Sequence, residues 1–370
     1  MLRDMVAAYL NDHYDFNQRH AVVSGGQGWR PEIWRAFAEE LGILGAAFPE
    51  DLGGLGGGQI ETMVLMEEFG KSLVIEPYLS TVVIGGGFLR HSGHVAASDL
   101  IEGIIAGRNI FAFAYAEPRG RYNLAALSTR AERDGSGWIL GGRKAVVIGA
   151  PFATHYIVTA RTAGGECDEH GVSVFLVEKD AAGITRSDYA TADGFQASDI
   201  NFENVRLSAD ALIGPVDGGL PLIEKIVDEA IAATCAEACG VMRKLLDGTV
   251  EYTKQRKQFG VPLGSFQALQ HRMADMFMHL EQSVSMTYMA NIKVLEAAER
   301  AKAVSAAKVQ IGKACRFVGE SAIQLHGGMG VTDEMAISHY FKRAAMIENA
   351  FGSVDHHLAR YERQMEILNA

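Results

Sequence analysis

The sequence predicts a mainly α-helical protein with a β domain inserted between two helical domains. Three observations predict it: helical spacing of apolar residues in the first ~108 positions, short β-branched runs after them, and very long amphipathic patterns from ~216 onward. We therefore assign an N-terminal α-helical domain to residues 1–108, a middle β domain to 109–215 and a C-terminal α-helical domain to 216–370. A chain of 370 residues is long enough for two or three domains.

The first domain is recognised by glycine breaks between helical stripes. "RPEIWRAFAEELGIL" places apolar residues on one stripe, and Pro31 stands where helices favour proline. "FPEDLGGLGGG" connects this helix to the next helical patterns, "QIETMVLMEEFGKSL" and "YLSTVVIGGGFLRHSG". Because the loop has no strand before it and no Lys-Ser/Thr after it, it is a turn and not a P-loop.

The middle domain is recognised by a change of period. Runs such as "IFAFAYAEP", "KAVVIGA" and "GVSVFLVEK" are rich in β-branched and aromatic residues, and turn residues separate them. Asp134-Gly135, followed by Gly137, predicts a hairpin. The pattern is typical of a small antiparallel β domain.

The last domain consists of long helical patterns over residues 218–256, 265–299 and 300–324, with two shorter helices after them. Helices of roughly 25 to 35 residues with wide apolar faces suit a helical bundle. They offer more apolar face than one subunit needs to bury, so we expect self-association or a partner chain.

Composition excludes several classes of function. The net charge is −11 and the basic residues are scattered, so we expect neither a nucleic-acid surface nor a membrane surface. No stretch offers ~18 consecutive apolar residues, and the N-terminus lacks a signal-peptide pattern, which predicts a soluble cytoplasmic protein. Of the four cysteines, Cys235 and Cys239 lie one helical turn apart and are interpreted as buried thiols.

Two stretches in the last domain carry possible chemistry. In "KQRKQFG" a cationic helix end is closed by Phe259-Gly260, and in "QLHGGMG" two glycines stop a long helix. A basic helix end and a Gly-Gly turn, each beside an aromatic or amide side chain, can together hold a pyrophosphate and a planar ring. A capped surface helix explains each stretch about as well. No metal-type cluster or nucleophile elbow is present in the sequence, and His356-His357 is interpreted as helix surface.

The order of domains and motifs resembles the acyl-CoA dehydrogenase family along nearly the whole chain. The matching pieces include "FPEDLGGLGGG", "YAEP", "GWILGGRKAVVIGA", "VRLSADALIG", "RKQFG" and "QLHGGMG", in that order. More closely, the chain is similar to the small-subunit type found with pimeloyl-CoA dehydrogenase and in related heteromeric enzymes. The resemblance implies an N-terminal helical domain, a middle antiparallel β-barrel or sandwich domain and a C-terminal four-helix-bundle domain.

The resemblance also implies a cofactor, a reaction and partners. The cofactor is FAD, and the reaction is the α,β-dehydrogenation of an acyl-CoA thioester to a trans-2-enoyl-CoA in fatty acid metabolism. An electron-transfer flavoprotein is the expected acceptor. The expected assembly is a tetramer, either homomeric or formed with a larger paralogue.

Site residues are carried over from the family motifs. Arg256 would meet the FAD pyrophosphate, Phe259 would pack near the adenosine half, and Gln267 would add a polar contact. A second group, which would reach the FAD of a neighbouring subunit, consists of Gln324, Gly327 and Gly328.

The flavin-ring half of the site departs from the family pattern. Ala116 stands where the family has Thr before Glu-Pro, "RYN" replaces "GSD", and residues 146–148 replace "WIT". A ring-packing Trp and two hydroxyls are therefore missing. Each lost hydrogen bond is worth ~1 kcal/mol net, so the flavin can still bind, but less securely.

The catalytic base departs as well. The family "YEGT" stretch aligns with "FGSV" and places Gly352 at the usual glutamate, while the alternative glutamate position on the first long helix aligns with Ala230. Glu229 is adjacent to that position but points ~100° away, and Glu237 shares its face. Glu348 is a further alternative. For each of these carboxylates, a solvated or salt-bridged glutamate is the favoured explanation.

Two functions follow. The first is an FAD-dependent acyl-CoA dehydrogenase, or its smaller subunit, acting on an unusual acyl group: dicarboxyl, cyclic or steroid-derived. The second is a non-catalytic scaffold subunit that completes a partner's FAD site through Arg256, Gln324 and Gly328.

Overall fold

The computed structural model describes the backbone of residues 1–369 and the side chains of residues 1–365. Helices come first, the strands of the main sheet lie between Phe111 and Ile213, and long helices follow. The predicted class, mainly α with an inserted β domain, is therefore confirmed. Among residues 1–369, no helix has an apolar stretch long enough to cross a lipid bilayer.

The helices of the N-terminal part are α1 (Leu2–His13), α2 (Phe16–Ser24), α3 (Pro31–Glu39), α4 (Gln59–Ser72), α5 (Gly86–Ser92) and α6 (Ala97–Ile105). A π-helical segment, Leu79–Gly85, leads directly into α5. Helix α3 begins at Pro31 as predicted, because the fixed φ of proline suits the first helical position. The C-terminal helices are α7 (Leu220–Gln255), α8 (Gln267–Lys293), α9 (Arg300–His326), α10 (Ala336–Asn349) and α11 (Val354–Asn369).

The strands are β1 (Phe111–Ala114), β2 (Arg130–Asp134), β3 (Gly137–Ile148), β4 (His155–Arg161), β5 (Val172–Glu178), β6 (Ile184–Ala190), β7 (Gln196–Leu207), β8 (Leu212–Ile213), β9 (Lys257–Gln258) and β10 (Val261–Pro262). The main sheet has the order β6-β7-β3-β2-β4-β5-β8, and β1 pairs with β4. Most neighbours are antiparallel as predicted, but β4 is parallel to both β1 and β2, so the sheet is mixed. The predicted hairpin joins β2 to β3, with Asp134 opposite Gly137.

The chain forms two compact units. The first contains residues 1–21, 59–74 and the chain from 231 onward, and the second contains residues 22–58 and 75–230. The second unit therefore holds the whole main sheet, whose core includes Trp138 packed edge-on against Phe175. The division falls within α7, whose residues from Ile226 to Met242 are buried.

Candidate functional site

The predicted nucleotide-binding residues lie in the first unit, where the ends of α7 and α9 meet. The Tyr252 hydroxyl donates to the His326 carbonyl at 3.3 Å, and the two rings stack with centroids 4.3 Å apart. Arg256 follows Tyr252 by one helical turn, and Gly327 follows His326 directly. A single chain thus presents the cationic helix end and the glycine turn together.

The predicted nucleotide-binding side chains near the ends of α7 and α9 are exposed to solvent. Arg256, Gln267 and Gln324 are exposed, and the Arg256 side chain forms no hydrogen bond or ion pair with any residue that the structure describes. Phe259 is 90% exposed and adopts φ 53°, a left-handed conformation that is uncommon for a bulky residue. An unpaired guanidinium and an exposed aromatic ring are the donor and the surface that a diphosphate with a planar base requires.

Gly327 and Gly328 follow the end of helix α9. Gly327 has φ 61°, which explains the glycine, but its N–H donates to the carbonyls of Ile323 and Gln324 and so closes α9. The Gly327 N–H is therefore engaged within the helix end. A Cβ at Gly327 or Gly328 would meet nothing within 4 Å, so the two glycines leave open space beside the helix end. These residues fit the diphosphate and adenine end of FAD.

In the second unit, a buried ion pair fixes the segment that carries the altered "YAEP" motif. The Lys144 ammonium lies 2.7 Å from Glu117 Oε1 and also donates to Thr159 Oγ1 and the Tyr115 carbonyl. Glu117 accepts three further hydrogen bonds, from the N–H and hydroxyl of Ser128 and from the Thr129 N–H. The pair therefore ties residues 115–129 to strands β3 and β4.

Burial and pairing act on this pair in opposite directions. Burial lowers the pKa of Lys144 to about 8, because the desolvation of the ammonium outweighs its attraction to the Glu117 carboxylate. Burial also raises the pKa of Glu117, but the Lys144 charge and the hydrogen bonds outweigh it and bring that pKa to about 2. Sequence reasoning missed the pair. Its only signal was a lysine in an otherwise apolar strand pattern, "KAVVIGA".

The stretch that replaces "WIT" forms a strained bulge. Val146 adopts φ 53° at a register shift between Lys144 and Val147, and its side chain is exposed. A β-branched residue in this region costs about 1–3 kcal/mol. Asp199 stabilises the bulge, because its carboxylate accepts the Val146 N–H at 3.1 Å and the Tyr189 hydroxyl at 2.9 Å.

The two carboxylates predicted as bases lie in different units. Glu229 is buried in the second unit, with Oε1 3.1 Å from His91 Nε2 and Oε2 3.6 Å from Arg90. His91 Nδ1 in turn lies 3.0 Å from the Lys225 ammonium. Arg90 and His91 sit on α5, directly after the π-helical segment, and such segments often occur at functional sites.

Glu237 lies eight residues further along α7, in the first unit. Both of its oxygens accept from Arg343, at 2.6 and 2.7 Å. The third carboxylate, Glu348, is held by Arg316. All three carboxylates therefore lie beside an arginine.

Gly352, at the usual position of the base, has no space for a side chain unless the neighbouring histidine rings shift. Its φ is 134°, and a Cβ there would lie 2.5 Å from His357 Nε2 and 2.7 Å from His356 Cδ2. His357 is buried, with Nε2 3.2 Å from the Phe351 carbonyl, so its interpretation as helix surface is wrong. A glutamate at this position is absent from the sequence and would require the His356 and His357 rings to move.

Comparison with protein-family models gives three matches in chain order. The model of the acyl-CoA dehydrogenase N-terminal domain matches residues 1–96, the middle-domain model matches residues 112–205, and the C-terminal-domain model matches residues 217–366.

Individual relatives show the same similarity over most of their length. The caffeyl-CoA reductase-Etf complex subunit CarC of Acetobacterium woodii is 29% identical over 309 residues, 82% of this chain and 81% of that protein. A solved variant of the Tcur3481-Tcur3483 steroid ACAD is 29% identical with a TM-score of 0.89, covering 100% of this chain and 97% of that one. The ChsE4-ChsE5 complex from Mycobacterium tuberculosis is 26% identical with a TM-score of 0.89, covering 99% and 96%.

Proposed function

Because the chain belongs to the acyl-CoA dehydrogenase family, whose members are FAD-dependent oxidoreductases, we propose that it is the smaller subunit of a heteromeric acyl-CoA dehydrogenase. When bound, FAD supplies the two-electron acceptor for the conversion of an acyl-CoA to a trans-2-enoyl-CoA. Within this chain, Arg256, Phe259 and Gln267, together with Gln324, Gly327 and Gly328, hold the nucleotide end of the cofactor.

One contrast supports the heteromeric proposal: the residues that we assign to the nucleotide end are all present, whereas the usual base and ring-side groups are missing. Arg256 is exposed and unpaired among the described residues, whereas neither Ala230 nor Gly352 can act as a base. The ring-side Trp and hydroxyls are also missing around Val146. Similarity to the ChsE4-ChsE5 complex and to the Tcur3481-Tcur3483 enzyme supports the same proposal, since the name of each assembly gives two different components.

The substrate class follows from the same relatives. We propose a CoA thioester with a bulky or polar acyl group, dicarboxyl, cyclic or steroid-derived, and the steroid ACAD among the similar structures supports the last of these. An electron-transfer flavoprotein is the proposed acceptor, supported by the Etf complex to which the CarC relative belongs.

Co-expression tests the heteromeric proposal. The chain is purified alone and together with a candidate larger subunit, a longer acyl-CoA dehydrogenase, and flavin content and oligomeric mass are measured. We expect a colourless or weakly flavin-loaded chain alone and a yellow hetero-tetramer on mixing. A yellow homo-tetramer that oxidises an acyl-CoA unaided would refute it.

A carboxylate base in this chain would be Glu229 or Glu237. Glu229 is the better placed, since Arg90 lies 3.6 Å from it while Arg343 makes two short bonds to Glu237. Single exchange for glutamine in the assembled enzyme tests both. Loss of a base lowers the rate of flavin reduction about 10²- to 10⁴-fold. If the carboxylate serves only as the counter-ion of an arginine, the variant instead loses stability and the rate of flavin reduction is unchanged.

The pure scaffold remains the second candidate function, and the arginine pairing of all three carboxylates favours it. A hetero-tetramer whose activity survives every substitution in this chain outside the FAD contacts would establish the scaffold.

A further inference from the structure

We propose that Tyr252 is a positioning residue for the FAD of this enzyme: through His326 it fixes the cationic end of α7 against the glycine turn that follows α9. The inference rests on the proposed function, in which Arg256 and the glycines Gly327 and Gly328 hold the nucleotide end of the cofactor. These two parts of the nucleotide site lie 71 residues apart in sequence, from 256 to 327. A tertiary contact therefore has to set the spacing between them.

Two contacts join Tyr252 to the end of α9. The Tyr252 hydroxyl donates to the His326 carbonyl at 3.3 Å, and its ring stacks on the imidazole with the two planes 27° apart. The last four carbonyls of an α-helix have no partner within the helix, and His326 is the last residue of α9. The Tyr252 hydroxyl therefore supplies a donor that the helix end lacks, and the stacked rings fix the direction from which it comes.

His326 is held rigidly from its own helix. Its Nδ1 lies 2.8 Å from the Ala322 carbonyl, and since a carbonyl can only accept, Nδ1 carries the hydrogen. The residue is only 5% exposed. Burial lowers the pKa of His326 below 6.5, and the bond to Ala322 offsets this only in part, so the ring is neutral at pH 7. The imidazole thus supports the stack without adding a second charge beside the Arg256 guanidinium.

Tyr252 is also bonded to the arginine, through the backbone. The Arg256 N–H donates to the Tyr252 carbonyl at 2.8 Å, and the Arg256 carbonyl accepts from the Leu263 N–H at 2.8 Å. Because α7 ends at Gln255, these two bonds fix the first residue after the helix. Tyr252 therefore contacts His326 with its side chain and Arg256 with its main chain, and this one residue connects the two parts of the nucleotide site.

The physical effect expected of such a connection is preorganisation. A site whose groups are already in place loses less conformational freedom on binding and therefore binds its ligand more tightly. The contact between Tyr252 and His326 should therefore raise the affinity for the nucleotide end of the cofactor. A tyrosine that only packed two helix ends together would contribute to the stability of the fold alone.

The test measures the FAD affinity of the assembled, flavin-depleted enzyme by fluorescence titration. Tyr252→Phe keeps the ring and removes only the hydrogen bond to His326. The matched control is Tyr340→Phe, since the Tyr340 hydroxyl also donates to a backbone carbonyl, that of Lys71. Tyr252→Phe should weaken FAD binding about 2- to 12-fold, the effect of one hydrogen bond, and the control should leave it unchanged. ADP, which lacks the flavin ring, should lose affinity by the same factor in competition with FAD.

A double-variant cycle separates positioning from packing. Once Arg256→Gln has removed the guanidinium that Tyr252 positions, adding Tyr252→Phe should weaken FAD binding by less than about 2-fold more. Equal weakening with and without Arg256, an unchanged FAD affinity in folded Tyr252→Phe, or an equal loss in Tyr340→Phe would overturn the inference alone. A wild-type assembly that binds no FAD would remove the proposed function and the inference with it.

Discussion

Lys144→Met is the substitution whose effect the structure specifies best. The ammonium has no exposed surface and makes three contacts, to Glu117 at 2.7 Å, Thr159 at 3.2 Å and the Tyr115 carbonyl at 3.3 Å. Removing one partner of a buried ion pair costs about 3–5 kcal/mol. Glu117 keeps its three other donors, so we expect the lower end, about 3 kcal/mol, or roughly 150-fold in the unfolding equilibrium.

The assay is urea unfolding followed by tryptophan fluorescence. The 3 tryptophans, Trp29, Trp34 and Trp138, all lie in the second unit, so their signal follows the unit that contains Lys144. The exposed control Lys179→Met should change the free energy of unfolding by less than about 0.5 kcal/mol.

A double variant separates the ion pair from the lost packing. Adding Glu117→Gln to Lys144→Met replaces an unpaired buried carboxylate by a neutral amide whose oxygen can still accept from Ser128. We expect about 1–2 kcal/mol to return. A loss below about 1 kcal/mol in Lys144→Met, or no recovery in the double variant, would show that the pair does not hold residues 115–129.

Three further predictions concern the first unit and the hairpin control. Arg256→Gln should weaken FAD binding by the assembled enzyme about 10- to 150-fold, since a hydrogen bond to a charged group is worth about 1.5–3 kcal/mol. The control Lys254→Gln should leave FAD binding unchanged, because Lys254 is already ion-paired with Glu251. Fluorescence titration measures both affinities. Burial lowers the pKa of His357 from 6.5 to about 3, so between these pH values the folded state binds fewer protons than the unfolded state. The wild-type protein should therefore lose stability as the pH falls from 6.5 towards 3. His357→Gln should flatten this dependence of unfolding free energy on pH. In chemical unfolding, Gly352→Ala should lower the stability by more than about 3 kcal/mol, because φ is unfavourable and the added Cβ would clash. The control Gly135→Ala, with φ 60° and open space around it, should lower the stability by about 1 kcal/mol. Equal costs would contradict the packing of His357 against Gly352.

Much of the architecture could be predicted because its signals are local. Helix α3 starts at Pro31, the β2–β3 hairpin turns after Asp134, and α9 ends where Gly327 takes a positive φ. Each depends on residues within one or two turns of chain. The parallel pairing of β4 with β1 and β2 was not predicted, because alternation of apolar residues does not record the direction of a neighbouring strand.

The site was predictable in its residue types and not in its contacts. The sequence identified a cationic helix end at Arg256 and a bend at Gly327, but it did not predict that the two lie beside each other within one chain. The stacking of Tyr252 on His326, 74 residues apart, shows why: the two groups are joined by a tertiary contact.

By itself the sequence determined the succession of helical and β segments and the family, because apolar periodicity and ordered motifs are written along the chain. The tertiary structure alone decided which charges are neutralised. It brought Arg343 to Glu237, Arg90 to Glu229 and Lys144 to Glu117 from positions 106, 139 and 27 residues away. The physical reason is that a buried charge requires an opposite charge in space, and the chain positions of the two partners do not reveal that they meet.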